Sequence, residues 1–217
     1  MAITLAASGT NTTAGATSLT TAANVGTGSD RFLVCAVTNG EVNTGDLVTG
    51  VTYNGVSMIR AGVAYQNVGN TRPAYLYYLK NPTSGSNNIV ISCSASTPIQ
   101  LIWSSFDGVN DIEGTPFASR LTSTTQTLTV TTSVNDCILV SSGILARGQT
   151  AGTNTTIIQA LTGNTYSFRN TNPVAAGANS LVTTQSDSTQ SAWVAIAMSP
   201  AGGGATPKRL MMMGVGQ

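Results

Sequence analysis

The chain has 217 residues, 9 basic and 8 acidic, with 8% charged and no histidine. The missing histidine excludes Ser–His and Cys–His catalysis. A formal charge of +1, with no basic run, gives none of the long-range pull that nucleic-acid binding needs. The hydrophobic fraction of 41% is enough for a normal core, so the abundant Ser, Thr and Asn do not imply disorder.

Short apolar runs with period-2 alternation, separated by turn clusters, predict strands throughout. Weak edge strands are expected at 3–6 and 17–20, then strands at 31–38, 50–53, 56–61, 74–80, 88–94 and 99–106. Further strands are expected at 126–131, 137–145, 155–160, 165–169, 180–184 and 192–198, and no window has a helical stripe. Asn54-Gly55, between the alternating runs Val51-Thr52-Tyr53 and Val56-Ser57-Met58, is a type I′ hairpin signal because both central residues tolerate positive φ. Pro82 ends one strand and Gly85 permits the next reversal. Strands this short and this evenly spaced imply two packed antiparallel sheets. Asp30 and Asp136 each precede an apolar strand. That is read either as a faint internal repeat or as two central strands of one sandwich.

The fold expectation is therefore all-β, an antiparallel β-sandwich of jelly-roll or Ig-like type, as a single domain over residues 1–199. Residues 200–217 form a Gly-rich linker and an apolar C-terminal arm. Leu210, Met211, Met212, Met213 and Val215 are candidate contacts with another subunit, since methionine fills irregular grooves. The start, MAITLAASGT, has neither the basic region nor the apolar core of a secretion signal. No apolar run approaches the roughly 18 residues of a membrane span. Synthesis in a cytoplasm without membrane insertion is expected.

Chemistry-bearing residues are few. Cys35, Cys93 and Cys137 lie in apolar strand runs and read as buried small hydrophobes, a Cys35–Cys137 bridge being the alternative. Asp107, Asp111 and Glu113 gather on one stretch, a weak Ca²⁺ candidate without EF-hand spacing, the other reading being a solvated loop. Tyr75 and Tyr77 share one face of a strand and are candidate stacking residues for a glycan or a protein partner. Loops 148–156 and 169–179 are candidate recognition loops, and Trp103 and Trp193 are expected in the core. No catalytic residue and no cofactor is expected.

Several segments in order then carry a resemblance: SDRFLV, GVTYNGVSM, AYLYYLKNPTSGSNNIVIS and IWSSFDGVNDIEGTPF. This order resembles a family of β-sandwich proteins and modules of bacteriophage virions and bacterial surface proteins, in outline over residues 1–200 and well over 29–118. Asn54 stands where that pattern often has glycine. The resemblance implies a sandwich without cofactor or catalytic residues, working in assembly or attachment. Two functions follow as expectations. The first is a non-enzymatic virion structural protein, a capsid decoration or accessory surface component. Its partners would be other virion proteins and copies of itself, as a homo-oligomer. The second is a carbohydrate-binding adhesin or receptor-binding module of a tail fibre or cell surface, located extracellularly and taking a glycan.

Overall fold

The computed structural model describes residues 1–39, 45–67, 71–145, 148–161 and 165–202. The described residues are all-β and antiparallel, with no helix. In chain order the strands are β1 (Thr4–Val25), β2 (Phe32–Asn39), β3 (Val48–Tyr53), β4 (Val56–Ser57), β5 (Ile59–Asn67), β6 (Thr71–Lys80), β7 (Gly85–Asp107) and β8 (Val109–Leu121). Then come β9 (Thr125–Thr132), β10 (Ile138–Leu145), β11 (Gln149–Ala151), β12 (Thr155–Leu161), β13 (Thr165–Asn170), β14 (Gly177–Gln185) and β15 (Ser191–Pro200). The apolar arm, including Leu210, Met211, Met212, Met213 and Val215, lies outside the described residues.

The strands stack in more layers than the two sheets expected. The sheet β4-β3-β7-β2-β6-β5, with β1 on β7, folds over on itself through its two longest strands. The residues of β1 and β7 nearest residue 107 pair beside β2, and the parts around Leu19 and Ile91 pair beside β3. Register shifts at Thr13, Ala16 and Ser18 mark the bend, where extra residues kink an antiparallel pair. The sheet β12-β13-β10-β15-β8 faces the β2 limb of this folded sheet, and β11-β14-β9 closes the far side. Four β layers result, with apolar clusters in the spaces between them.

This layering explains the apolar runs. Odd positions of β2 (Leu33, Cys35, Val37) enter the outer cluster with Tyr53, Tyr75, Ile91 and Trp103. Even positions (Phe32, Val34, Ala36) enter the central cluster with Val140, Val194 and Ile196. Every residue of β2 and of β15 is buried. A strand covered on both faces has no polar alternation to show.

The two halves of the chain repeat one pairing plan. In the first half β2 lies between β6 and β7, β5 pairs with β6, β3 with β7, and β1 runs along β7. In the second, β10 lies between β13 and β15, β12 pairs with β13, and β11 with β14. There β9 pairs with β14 and β8 with β15, so β8–β9 stands for β1 and β14–β15 for β7. Even the irregularities coincide. Pairing slips by one residue between Arg60↔Tyr77 and Gly62↔Leu76, and again between Ile157↔Phe168 and Gln159↔Ser167. Asp30 and Asp136, each two residues before its central strand, have φ of 52° and 63°. Of the two readings of these aspartates, repetition is the one the pairing follows. The halves are two sandwiches set back to back, and the central cluster draws on both.

Asn54 and Gly55 have φ of 49° and 78°, and Tyr53 pairs with Val56, so the hairpin is a two-residue turn of the expected hand. The acidic stretch after Asp107 is different from its expected form. It opens β8, an edge strand of mixed exposure rather than a loop.

Candidate functional site

The residues singled out from the sequence go to separate places. Tyr75 and Tyr77 do share a face, with ring centroids 6.3 Å apart, but that face is core. Their exposures are 0% and 4%. Both faces of β6 are covered, so the tyrosines form no exposed stacking platform. Burial raises the Tyr75 hydroxyl pKa far above its ordinary value, and the Asp46 carboxylate adds to that. Burial likewise pushes Tyr77 up to about 12. Both phenols are neutral near pH 7.

The three acids are not gathered into a cation site. Asp107 lies against the backbone turn at Gly26 and Gly28. Asp111 accepts from Lys80 Nζ at 2.7 Å and from the Ile112 N–H at 2.8 Å. Glu113 takes the Ser133 N–H at 3.0 Å and the Ser133 hydroxyl. No group of three or more metal-ligating side chains exists among the described residues. Asp107 ends β7, and Asp111 and Glu113, which share a face of β8, are each engaged by a different partner, Lys80 and Ser133. Burial pushes Asp111 upward, but the Lys80 and Ile112 hydrogen bonds and the Lys80 charge outweigh it, leaving the pKa below its ordinary value. The pair's contribution to stability is therefore present above the unfolded carboxyl pKa and lost as pH falls through the folded one.

Cys35, Cys93 and Cys137 are free and buried, so the alternative of a Cys35–Cys137 bridge is excluded. Cys35 and Cys137 sit in the two different outer clusters. Burial raises all three thiols, Cys137 to about 11, which keeps them protonated and unreactive at neutral pH. Trp103 and Trp193 are core, as expected. Of the candidate recognition loop 148–156, residues 149–151 are strand β11, paired with β14, and 155–156 begin β12; of 169–179, residues 169–170 end β13 and 177–179 begin β14.

The feature that sequence reasoning missed is an open cleft of about 500 Å³ at the mouth of the first sandwich. The hairpin β3–β4 forms one wall through Thr52, Ser57 and Met58. Arg60, from the start of β5, and Asp46, from the segment entering β3, make an ion pair across the mouth. Their side chains are 41% and 35% exposed. The hydrogen bond that Arg60 donates to the Asp46 carboxylate is the main reason its guanidinium is held above its already high pKa. Tyr77 reaches the cleft from β6. Val56 and Ile59, on the same hairpin and its continuation, are 53% and 54% exposed, unusual for large apolar side chains here. A second cleft, of about 440 Å³, lies along the hairpin and is lined by Asn54, Ser86, Asn87 and Asn88. Nothing linear marks these residues, because Asp46 and Arg60 meet only after β3 and β4 have turned back.

A second feature concerns the chain ends. The Met1 ammonium donates to the Ala201 carbonyl at 2.7 Å, and the Ala201 N–H donates to Gly108 at 2.7 Å. Gly108 is the residue between the halves, with φ of 77°, and a Cβ there would lie 2.6 Å from the Ala2 carbonyl oxygen. The first residue, the midpoint and the last described residues thus meet at one place on the rim.

The chain matches no family model, no curated protein and no solved structure.

Proposed function

We propose that the protein is a non-enzymatic structural component of a bacteriophage virion, a capsid decoration or other accessory surface protein that assembles with copies of itself and with other virion proteins. The observation that carries this reading is the meeting of Met1, Gly108 and Ala201 at one point of the rim. Ala201 is held there beside Gly108, the residue just before the β8 edge, and the chain continues from that place towards the apolar segment 210–215. Free edges support it further. β5, β8, β9, β11 and β12 each pair on one side only among the described residues, and such edges template contact between chains. A near-neutral surface rich in hydroxyls and amides is also better suited to a packed shell than to charge-stabilised solution life.

The arm is the part of this reading open to direct test. Burying a few of the apolar side chains at 210–215 yields roughly 25 cal/mol per Å², against the cost of ordering the linker. Deleting 203–217 is expected to leave the sandwich folded, with an unchanged β-type circular dichroism spectrum, and to lower particle incorporation or self-association. Wild-type incorporation by the truncated chain would remove the arm from the account.

A further inference from the structure

Asp46, Thr52, Ser57, Met58, Arg60 and Tyr77 line the open cleft of about 500 Å³, and we propose that it binds a neutral sugar ring, the terminal or branch unit of a surface glycan. This site is independent of the virion reading: a particle component with no glycan contact, or a glycan binder that never enters a particle, would each leave one of the two intact.

The internal repeat supplies the control. At the equivalent register of the second sandwich, Ile157 stands for Arg60 and Phe168 for Tyr77. The fold therefore needs an edge residue and an inward ring at these positions, but neither a guanidinium nor a phenol. The hairpin is likewise extra. The chain passes from β11 to β12 through Gly152, Thr153 and Asn154 without pairing back, whereas β3 turns at Asn54-Gly55 and pairs with β4. Both clefts border this added element and share Thr52.

The chemistry of the lining selects the ligand class. A carboxylate only accepts hydrogen bonds, a guanidinium only donates them, and Thr52 and Ser57 can do either. A free anion would meet Asp46 and a free cation would meet Arg60, while the pair together presents no net charge. A neutral polyol, whose every hydroxyl both donates and accepts, satisfies all of these groups at once. Val48, Val51 and Met58 are buried and form only the floor of the cleft, so the contacts to the ring come chiefly from the polar groups at its mouth. The volume falls in the roughly 300–1,000 Å³ range of small-ligand clefts. The openness of the mouth lets a unit enter while still attached to a longer chain, and the Asn54, Asn87 and Asn88 amides of the adjoining cleft would meet the next unit.

The test is amide chemical-shift mapping of the full chain titrated separately with the methyl glycosides of glucose, galactose, mannose and N-acetylglucosamine. At least one is expected to shift resonances within 46–60 and at Tyr77. Arg60→Met is expected to weaken that binding about tenfold or more, the loss typical of a hydrogen bond to a charged group. Ile157→Met, at the repeat-equivalent position, is expected to leave it unchanged. Asp46→Asn serves as the second variant should Arg60→Met fail to fold, and the mapping itself uses the native chain. Absence of shifts with all four glycosides, shifts confined to other parts of the surface, or wild-type affinity in a folded Arg60 or Asp46 variant would overturn the proposal.

Discussion

Trp193→Ala is expected to destabilise the protein by about 3–5 kcal/mol from the lost ring and the cavity it leaves. The indole fills the third cluster beside Phe168, with centroids 5.6 Å apart, and is fully buried. Its room is made by Gly143 on the neighbouring strand, where a Cβ would lie 2.2 Å from the ring. The indole N–H also donates to Gln126 Oε1 at 2.6 Å and to Ser191 Oγ at 3.0 Å, all inside the core. Removing the donor strands the buried Gln126 oxygen, which adds about 1–3 kcal/mol. Trp193→Phe keeps most of the volume and isolates that second cost. Urea unfolding monitored by circular dichroism measures both. A loss under about 1 kcal/mol for the alanine variant would mean that the third cluster is not packed as described.

Val194→Asp is expected to be more damaging still and to unfold both halves together. Val194 is fully buried in the central cluster, among Val34 and Leu76 from the first half and Val140 and Ile196 from the second. The opposing strand β5 comes so close that a Cβ on Gly62 would lie 3.0 Å from a Val194 methyl. A carboxylate there has neither water nor a partner, and such burial costs several kcal/mol even after the group neutralises itself. The two tryptophans report on different halves, Trp103 on the first and Trp193 on the second. Their fluorescence transitions are expected to coincide in the wild type and to be lost together in the variant. A first half that stays folded while the second melts would show two independent domains instead of one cooperative unit.

Much of the strand order was legible. The runs at 31–38, 74–80, 137–145 and 192–198 correspond to β2, β6, β10 and β15, and the Asn-Gly turn is where it was expected. Three things were not legible, each for a physical reason. The long β1 and β7 read as separate short strands, because Thr-, Ser- and Asn-rich stretches broken by register shifts lack sustained alternation and bend between layers. The number of layers was hidden because burial on both faces and burial on one face differ only in the partners a strand finds. For the same reason alternation placed Tyr75 and Tyr77 on one face correctly but could not show that the face was covered. The repeat, suspected from Asp30 and Asp136, is written more clearly in the turns: Asn81-Pro82 then Gly85-Ser86-Asn87, and Asn172-Pro173 then Gly177-Ala178-Asn179. Asn87 donates to the Ser84 carbonyl at 3.4 Å and Asn179 to those of Ala175 and Gly177 at 2.7 and 3.1 Å, so in each turn the asparagine closes onto the preceding backbone, although the second turn has one more residue between its proline and its glycine.

The two sandwiches also solve the same packing problem with different residues. Register places Trp103 opposite Cys35 in the first half and Trp193 opposite Gly143 in the second. These are positions two residues apart in the repeat, each relieved by a glycine, Gly9 or Gly143. One large ring per outer core is retained while its attachment point moves. A shared frame that tolerates such shifts leaves its surface free to differ between halves, as the charged cleft at Arg60 and the plain edge at Ile157 do.

The assembly reading is tested most directly by quantitative mass spectrometry of virions purified from the host culture that produces the chain. The account predicts the chain in the purified particle, at a copy number fixed relative to a major structural protein and retained through gradient purification. Recovery of the chain only in the soluble fraction of the lysate, with purified particles lacking it, would contradict the account.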